Sequence, residues 1–233
     1  MSPVNAFANP HLLWTPQELH ARLGDENLAL IDLRTTAEVM TGIIPGAQHI
    51  DIYGVGVTQT TSPIWEEFAN LMRSLFAMRG AGSKSTVVLY EENSGNKIGR
   101  AFWLLEYLGH TDVHVLDGGL GAWREAGYEV TQSMGKAHGR SFKPNIRHDI
   151  FITADELHKR LGDKGVCVLD TRSDEEWSGE NTRGGPRGGT IPGAVHLEWL
   201  NYLDEKGKFK KAPQLSALFE GVGVLRDKAI VPF

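Results

Sequence analysis

One sequence unit is used twice in this chain. Residues 15–34, TPQELHARLGDENLALIDLR, return as residues 153–172, TADELHKRLGDKGVCVLDTR, at a constant offset of 138, and half of the 20 positions are identical. A repeat of this kind restricts the fold before any element is assigned, because whatever one copy builds the other must build again. Each copy opens with the same helix signals. Thr15 and Thr153 stand as N-caps with Glu18 and Glu156 three residues on, the pattern of a capping box. Pro16 takes the first helical position, where its missing N–H costs nothing. Leu19 with Leu23, and Leu157 with Leu161, give an apolar stripe at i, i+4, and Gly24 and Gly162 close the helices. Residues 28–31 and 166–169 then read as short strands buried on both faces, as parallel strands are.

A loop follows in each copy and leads to Ile44-Pro45-Gly46-Ala47 or Ile191-Pro192-Gly193-Ala194, then to a second short strand through His49 or His196. This loop is nine residues longer in the second copy, and the insert is rich in Gly and Arg, with Arg183 and Arg187 inside or beside it. Growth of a loop in one copy alone marks it as a place for function. The first copy continues with a predicted helix over 65–78, a strand over 86–90, a polar loop over 91–99, a helix from about 100 to 108 and a strand over 113–116 that runs into Asp117-Gly118-Gly119. Alternation of strand and helix implies an α/β fold, a parallel sheet with helices on both faces. Residues 131–149 lack periodicity and hold Gly135, Gly139 and Pro144, so they read as a linker between a first domain, 1–130, and a second, 150–233. Placing residues 80–90 over 223–233 sets Phe233 opposite Tyr90. On that basis the second domain is expected to be incomplete, without the loop, helix and strand that follow Tyr90. The chain would then be a fragment, or be completed by a separate polypeptide.

Composition removes several functions. A net charge of -5 does not suit a nucleic-acid binder that rests on bulk electrostatics, and the basic residues between 206 and 228 are interleaved with acids. No apolar run approaches the roughly 18–20 residues of a membrane span, and MSPVNAFANPHLLW lacks the basic and apolar regions of a secretion signal. A single cysteine, Cys167, allows no internal disulfide, which points to a reducing compartment and most simply the cytoplasm. RGGPRGG has no Gly-Lys-Ser/Thr and so is no phosphate loop of the nucleotide-binding kind. His110 and His114 are four apart but lie between a helix stop and a strand, not on one helical face. No metal and no cofactor are expected.

The order T-x-x-E-L, D-x-R, I-P-G-A, D-G-G-x-x-x-W, begun twice in one chain, resembles the tandem-domain rhodanese family of sulfurtransferases. Asp170-Thr171-Arg172 followed by the run from Arg187 to His196 is similar to the catalytic second domain of thiosulfate and 3-mercaptopyruvate sulfurtransferases. The resemblance implies tandem rhodanese-like domains with a cysteine on a loop between a strand and a helix N-terminus. There it would take sulfane sulfur as a persulfide and pass it to a thiol or cyanide. It also implies that the first domain is inactive and shapes the cleft. The nucleophile position falls on Glu91 in the first copy and on the residue after Phe233 in the second. The first domain is therefore expected to be non-catalytic, and the 233 residues alone inactive. Cys167 lies within a buried strand opposite Ala29 and reads as structural. The family resemblance makes Arg183 and Arg187 candidates for holding the sulfonate or carboxylate of the donor, with Asp170 and Arg172 supporting the site. Thr190 stands where the family often has His. Expected partners are a small sulfur donor and a thiol or cyanide acceptor, with a C-terminal fragment as a further candidate. The other reading of the same residues is a non-catalytic rhodanese-like binding or scaffold protein.

Overall fold

The computed structural model describes residues 7–57, 59–136 and 138–233. The first six residues, part of the stretch searched for a secretion signal, and Ala137 of the linker lie outside them. The chain gathers into two compact units, one of Asn9–Thr153 with Glu205–Lys208, the other containing Ala154–Asp204 and Phe209–Phe233.

In the first unit Thr15 caps α1 (Pro16–His20) through the reciprocal bonds of a capping box with Glu18. The chain then enters β2 (Leu28–Asp32), having already passed β1 (Leu13–Trp14). A short helix, α2 (Thr36–Val39), leads to β3 (Gln48–His49), followed by α3 (Ile64–Met78), β4 (Thr86–Tyr90), α4 (Asn96–Tyr107), β5 (Val113–Leu116) and α5 (Gly119–Glu125). The strands form one parallel sheet in the order β1-β5-β4-β2-β3. Leu30, Val88 and Tyr90 meet Leu19 of α1, Leu120 and Trp123 of α5, and Ile43 and Ile44 in one apolar cluster. Ala29, Ile31, Val87 and Leu89 alternate with these and face the other way. On that side α3 and α4 pack together and bury Met72, Phe76, Leu104 and Leu105. Helices thus cover both faces, which is why four of the five residues of β4 are buried, the one polar atom among their side chains being the Tyr90 hydroxyl, which accepts the Ile44 N–H at 3.1 Å.

Three local features depart from the expectation. β1 has only two residues, too short for any periodicity to show, and exists because Leu13 and Trp14 pair with Val115 and Leu116. α4 begins at Asn96 and not near residue 100. Its first turn is held by a side chain from outside the helix, that of Glu91. The segment 131–149 has no helix or strand before the 3-10 turn His148–Ile150 in its described residues, yet it is tied down along its length. Thr131 exchanges backbone hydrogen bonds with Ile43, the Gly135 N–H donates to the Ala47 carbonyl, and Phe142 is buried. Its glycines serve close approach: a Cβ on Gly135 would lie 2.3 Å from the Gly46 carbonyl oxygen.

The second unit repeats the opening of the first. It runs through α6 (Ala154–Arg160), β6 (Val166–Asp170), α7 (Asp174–Ser178), β7 (Val195–His196), α8 (Ala212–Gly221) and β8 (Ala229–Pro232). Its described strands form a parallel sheet in the order β7-β6-β8. Register fixes the correspondence between the copies. Ala29 pairs with Val87 and Cys167 with Ile230, so β6 stands for β2 and β8 for β4. The Leu33 N–H donates to the Tyr90 carbonyl at 2.9 Å, and the Thr171 N–H to the Phe233 carbonyl at 3.0 Å. Phe233 therefore occupies the place of Tyr90 in the second unit. Burial differs sharply: four of the five β4 residues are buried, whereas three of the four β8 residues are exposed.

Candidate functional site

The ends of β2 and β6 are built alike. In the first unit the Asp32 carboxylate accepts hydrogen bonds from the Arg34 backbone N–H at 2.9 Å and from its guanidinium, the shortest 2.7 Å from Nη2. Arg34 Nη2 also donates to the Gly42 carbonyl at 2.6 Å, and His49 bonds the Arg34 carbonyl at 2.8 Å. In the second unit Asp170 accepts from the Arg172 N–H and Nε, both at 3.0 Å, Arg172 Nη2 donates to the Gly189 carbonyl at 2.9 Å, and His196 bonds the Arg172 carbonyl at 2.9 Å. An arginine two residues beyond the strand folds back on the last strand carboxylate and clamps the next loop through one glycine carbonyl. D-x-R is thus the sequence of a loop clamp, and Asp170 and Arg172 are placed together as one.

The two clamps differ in access. The Arg34 side chain is 1% exposed and the Arg172 side chain 32%, with its guanidinium 5.1 Å over the Phe233 ring. Thr190 completes the second clamp by donating its hydroxyl to Asp170 at 2.7 Å. Burial works against the Asp170 carboxylate, but the hydrogen bonds from Arg172 and Thr190 outweigh it and hold its pKa below the usual value. The sequence carried no signal for this bond, since Thr190 and Asp170 are separated by the whole inserted loop.

Glu91 follows β4 at the predicted nucleophile position of the first copy, and it is 8% exposed. Its carboxylate turns back into the N-terminus of α4, where Oε1 accepts the backbone N–H of Lys97 at 3.1 Å and of Ile98 at 3.3 Å. First-turn N–H groups of a helix have no partner within it, so a carboxylate from the preceding loop satisfies two of them. This is the physical reason that α4 starts early. A Cβ on Gly95 would lie 2.6 Å from that carboxylate oxygen, which explains a glycine there. Burial pushes the Glu91 carboxyl pKa up, opposed by the hydrogen bonds from Ile98 and Lys97. The Asp117-Gly118-Gly119 motif holds the same loop from the other side. Ser94 donates to Asp117 at 2.9 Å and accepts from the Gly118 N–H at 2.8 Å, and the Leu120 N–H donates to the Glu91 carbonyl at 2.8 Å. Gly119 has φ +54°, and a Cβ there would lie 2.3 Å from that carbonyl oxygen. Ser94 is a site residue that sequence reasoning missed.

The remaining candidates are dispersed. Arg183 has φ +50°, is largely exposed, and pairs at 3.1 Å with Glu176, not with the Asp170–Arg172 clamp. Arg187 is exposed on the same loop, which is pinned where a Cβ on Gly188 would lie 2.4 Å from the Gly179 carbonyl oxygen. Trp177 stacks on His196 at 4.8 Å, fixing the helix that begins this loop against the strand that ends it. Cys167 is buried within β6, its Sγ 3.9 Å from the Gly223 carbonyl oxygen. His110 bonds the Gly82 carbonyl, and His114 bonds the His11 carbonyl and Asp112. No group of three His, Cys, Asp or Glu among the described residues is placed to hold a metal, and no described helix is long and apolar enough to cross a membrane.

Comparison with known proteins meets this geometry at both copies. The family described as "Rhodanese-like domain" matches residues 15–126 and 153–231. The chain is 31% identical over 228 residues to a thiosulfate sulfurtransferase of Azotobacter vinelandii, covering 98% of this chain and 84% of that protein. It is 33% identical over 226 residues to a probable 3-mercaptopyruvate sulfurtransferase of Pseudomonas aeruginosa, covering 90% and 78%. Its fold is similar to the crystal structure of SseA, a 3-mercaptopyruvate sulfotransferase from Escherichia coli, with a TM-score of 0.79 over 95% of this chain and 87% of that one at 24% identity. With two family matches that share one strand register and one D-x-R clamp, the chain belongs to the rhodanese-like family and carries the domain in tandem.

Proposed function

We propose that this chain is the framework of a sulfurtransferase that moves sulfane sulfur from thiosulfate or 3-mercaptopyruvate to a thiol or cyanide through a cysteine persulfide. The observation that carries this reading is the matched register of Tyr90 and Phe233. On that register the nucleophile is expected at the residue after Phe233, with Glu91 as its counterpart in a first domain read as non-catalytic. There a carboxylate fills the helix N-terminus that a thiolate or persulfide would need. The relatedness to sulfurtransferases along nearly the whole chain supports the reaction class.

In this reading the thiolate attacks the sulfane sulfur of thiosulfate, the S–S bond breaks, and its electron pair leaves with sulfite. With 3-mercaptopyruvate the C–S bond breaks, and carbon takes the electron pair and a proton to give pyruvate. Cyanide then attacks the outer persulfide sulfur, forming thiocyanate and restoring the thiolate, a two-stage covalent cycle. Asp170 and Arg172 support the site by fixing the loop between β6 and β7. Arg183 and Arg187, on the exposed insert, hold the anionic end of the donor, Arg183 after exchanging its bond to Glu176. The domains are taken as 1–130, non-catalytic, a linker over 131–149, and 150–233, of catalytic type. The cytoplasm is the proposed location.

The 233 residues alone, whose one thiol is buried in β6, are expected to form no thiocyanate from thiosulfate and cyanide. Assay of the protein encoded when the reading frame is followed past Phe233 tests the proposal. Turnover lost on changing the next residue to Ser, and kept in Cys167→Ser, supports it. Turnover by the 233-residue chain that Cys167→Ser abolishes would sink it, as would a stop codon directly after Phe233.

A further inference from the structure

On the first unit, away from the loop that holds Glu91, the turn over residues 82–85 faces the tied-down segment over residues 140–143. Between them lies an open crevice of about 420 Å³, lined by Ser83, Lys84, Ser85, Arg140, Ser141 and Lys143. The walls are fixed by backbone. The Ser83 N–H donates to the Ser141 carbonyl at 3.1 Å, the Lys143 N–H to the Ser83 hydroxyl at 2.8 Å, and the Ser85 N–H closes the turn on Gly82 at 3.0 Å. Gly82 is required for the approach, since a Cβ there would lie 2.7 Å from the Arg140 Cβ. Arg140 reaches across to the Asn27 side chain at 3.1 Å and to the Glu26 carbonyl, which orients its guanidinium without neutralising it.

Three cations therefore line one crevice in a chain of net charge -5, and among the described residues none of them is in an ion pair. Like charges gathered without carboxylates repel one another, and a bound anion relieves that repulsion. Of the serine hydroxyls, Ser85 is buried and donates to the Gly80 carbonyl at 2.8 Å and Ser83 is held by Lys143, which leaves the exposed Ser141 to add a neutral donor. A volume of this order falls within the range of small-molecule sites, roughly 300–1,000 Å³. We infer that this crevice binds a small molecule bearing a phosphate- or sulfate-type dianion, up to the size of a nucleotide, at a site separate from the sulfur-transfer centre. A nucleic-acid backbone would meet the same three cations, but the remaining surface of an acidic chain disfavours it.

Amide chemical shifts of the full chain, titrated with inorganic pyrophosphate at constant ionic strength, test this. Expected are saturable shifts confined to residues 82–85 and 140–143, and at least about a tenfold weaker Kd in Lys84→Gln/Lys143→Gln. Both lysines are exposed, so the variant keeps the fold, which the unshifted remainder of its spectrum reports. No saturable shift, shifts spread over all surface lysines, or an unchanged Kd in the double variant would overturn the inference. Saturable binding of a single-stranded oligonucleotide with no response to pyrophosphate would overturn it too, by giving the surface to nucleic acid.

Discussion

Glu91 joins local structure to chemistry at the smallest scale. The family resemblance predicts a nucleophile at the matching position of a catalytic copy, and here a buried carboxylate accepts two helix N–H groups. Its pKa is nevertheless raised, because burial outweighs those bonds. The sign of the pH dependence follows. A carboxyl whose folded pKa lies above its unfolded value contributes most below the unfolded value, near 4.5, and that contribution is lost as pH rises through the folded value. Gln at this position keeps an oxygen acceptor for Lys97 and Ile98 but never ionises. Glu91→Gln is therefore expected to gain stability relative to the parent as pH rises from about 4.5, with the difference levelling off above the raised pKa. Urea unfolding at a series of pH values reads this directly. A difference that falls with rising pH would mean that the ionised carboxylate is favoured by the helix more than burial disfavours it. None of this was legible in the sequence beyond the absence of a thiol, because whether a glutamate points out or into a helix depends on a backbone path set by Gly95 and Gly119.

Strands were the most legible elements. Strand cores, the capping box at Thr15, the helix expected over residues 65–78 and found one residue longer, and the α/β alternation followed from periodicity and from the repeat itself. The start of α4, the existence of β1 and the bond between Thr190 and Asp170 did not, since each depends on a partner distant in sequence. The D-x-R clamps permit a comparison within one chain. Removing Arg34 leaves Asp32 fully buried with the residue-34 N–H and the neighbouring Tyr90 hydroxyl as its remaining donors and no cation beside it, a situation that costs about 3–5 kcal/mol when one partner of a buried pair is deleted. Removing Arg172 leaves Asp170 with the Thr190 hydroxyl and a backbone N–H, beside a position already open to water. Arg34→Ala is therefore expected to destabilise its unit more than Arg172→Ala destabilises the other, measured as the loss of amide protection in β2 and β6. Equal losses would show that solvent access around Arg172 does not matter. Adding Thr190→Val to Arg172→Ala should narrow the gap by about 1 kcal/mol, the usual worth of one hydrogen bond.

At the scale of the molecule, one sequence unit supports two sheets of unequal depth. β4 has a strand on either side, and the Val87 N–H donates at 2.9 Å to the Asp112 carbonyl beside β5. Ile230 holds the register position of Val87 on β8, which among the described strands has β6 as its one neighbour. Burial follows the same line. The first unit encloses Trp123, Phe76, Met72 and Tyr90 with almost no exposure, whereas α8 buries no residue and Ile230 is 36% exposed. Apolar area removed from water is the main source of stability, at roughly 25 cal/mol per Å². A unit with less of it opens at lower free energy, in line with the spread of local stabilities within proteins. Hydrogen exchange of the 233-residue chain is expected to release the Ile230 amide at least about tenfold faster than that of Val87. The difference should persist in low urea, where the second unit opens while the first remains protected. Matching rates at the two positions, or loss of both sheets in one step, would mean that the exposed face of β8 is stabilised to the depth of β4 by something other than its own sheet.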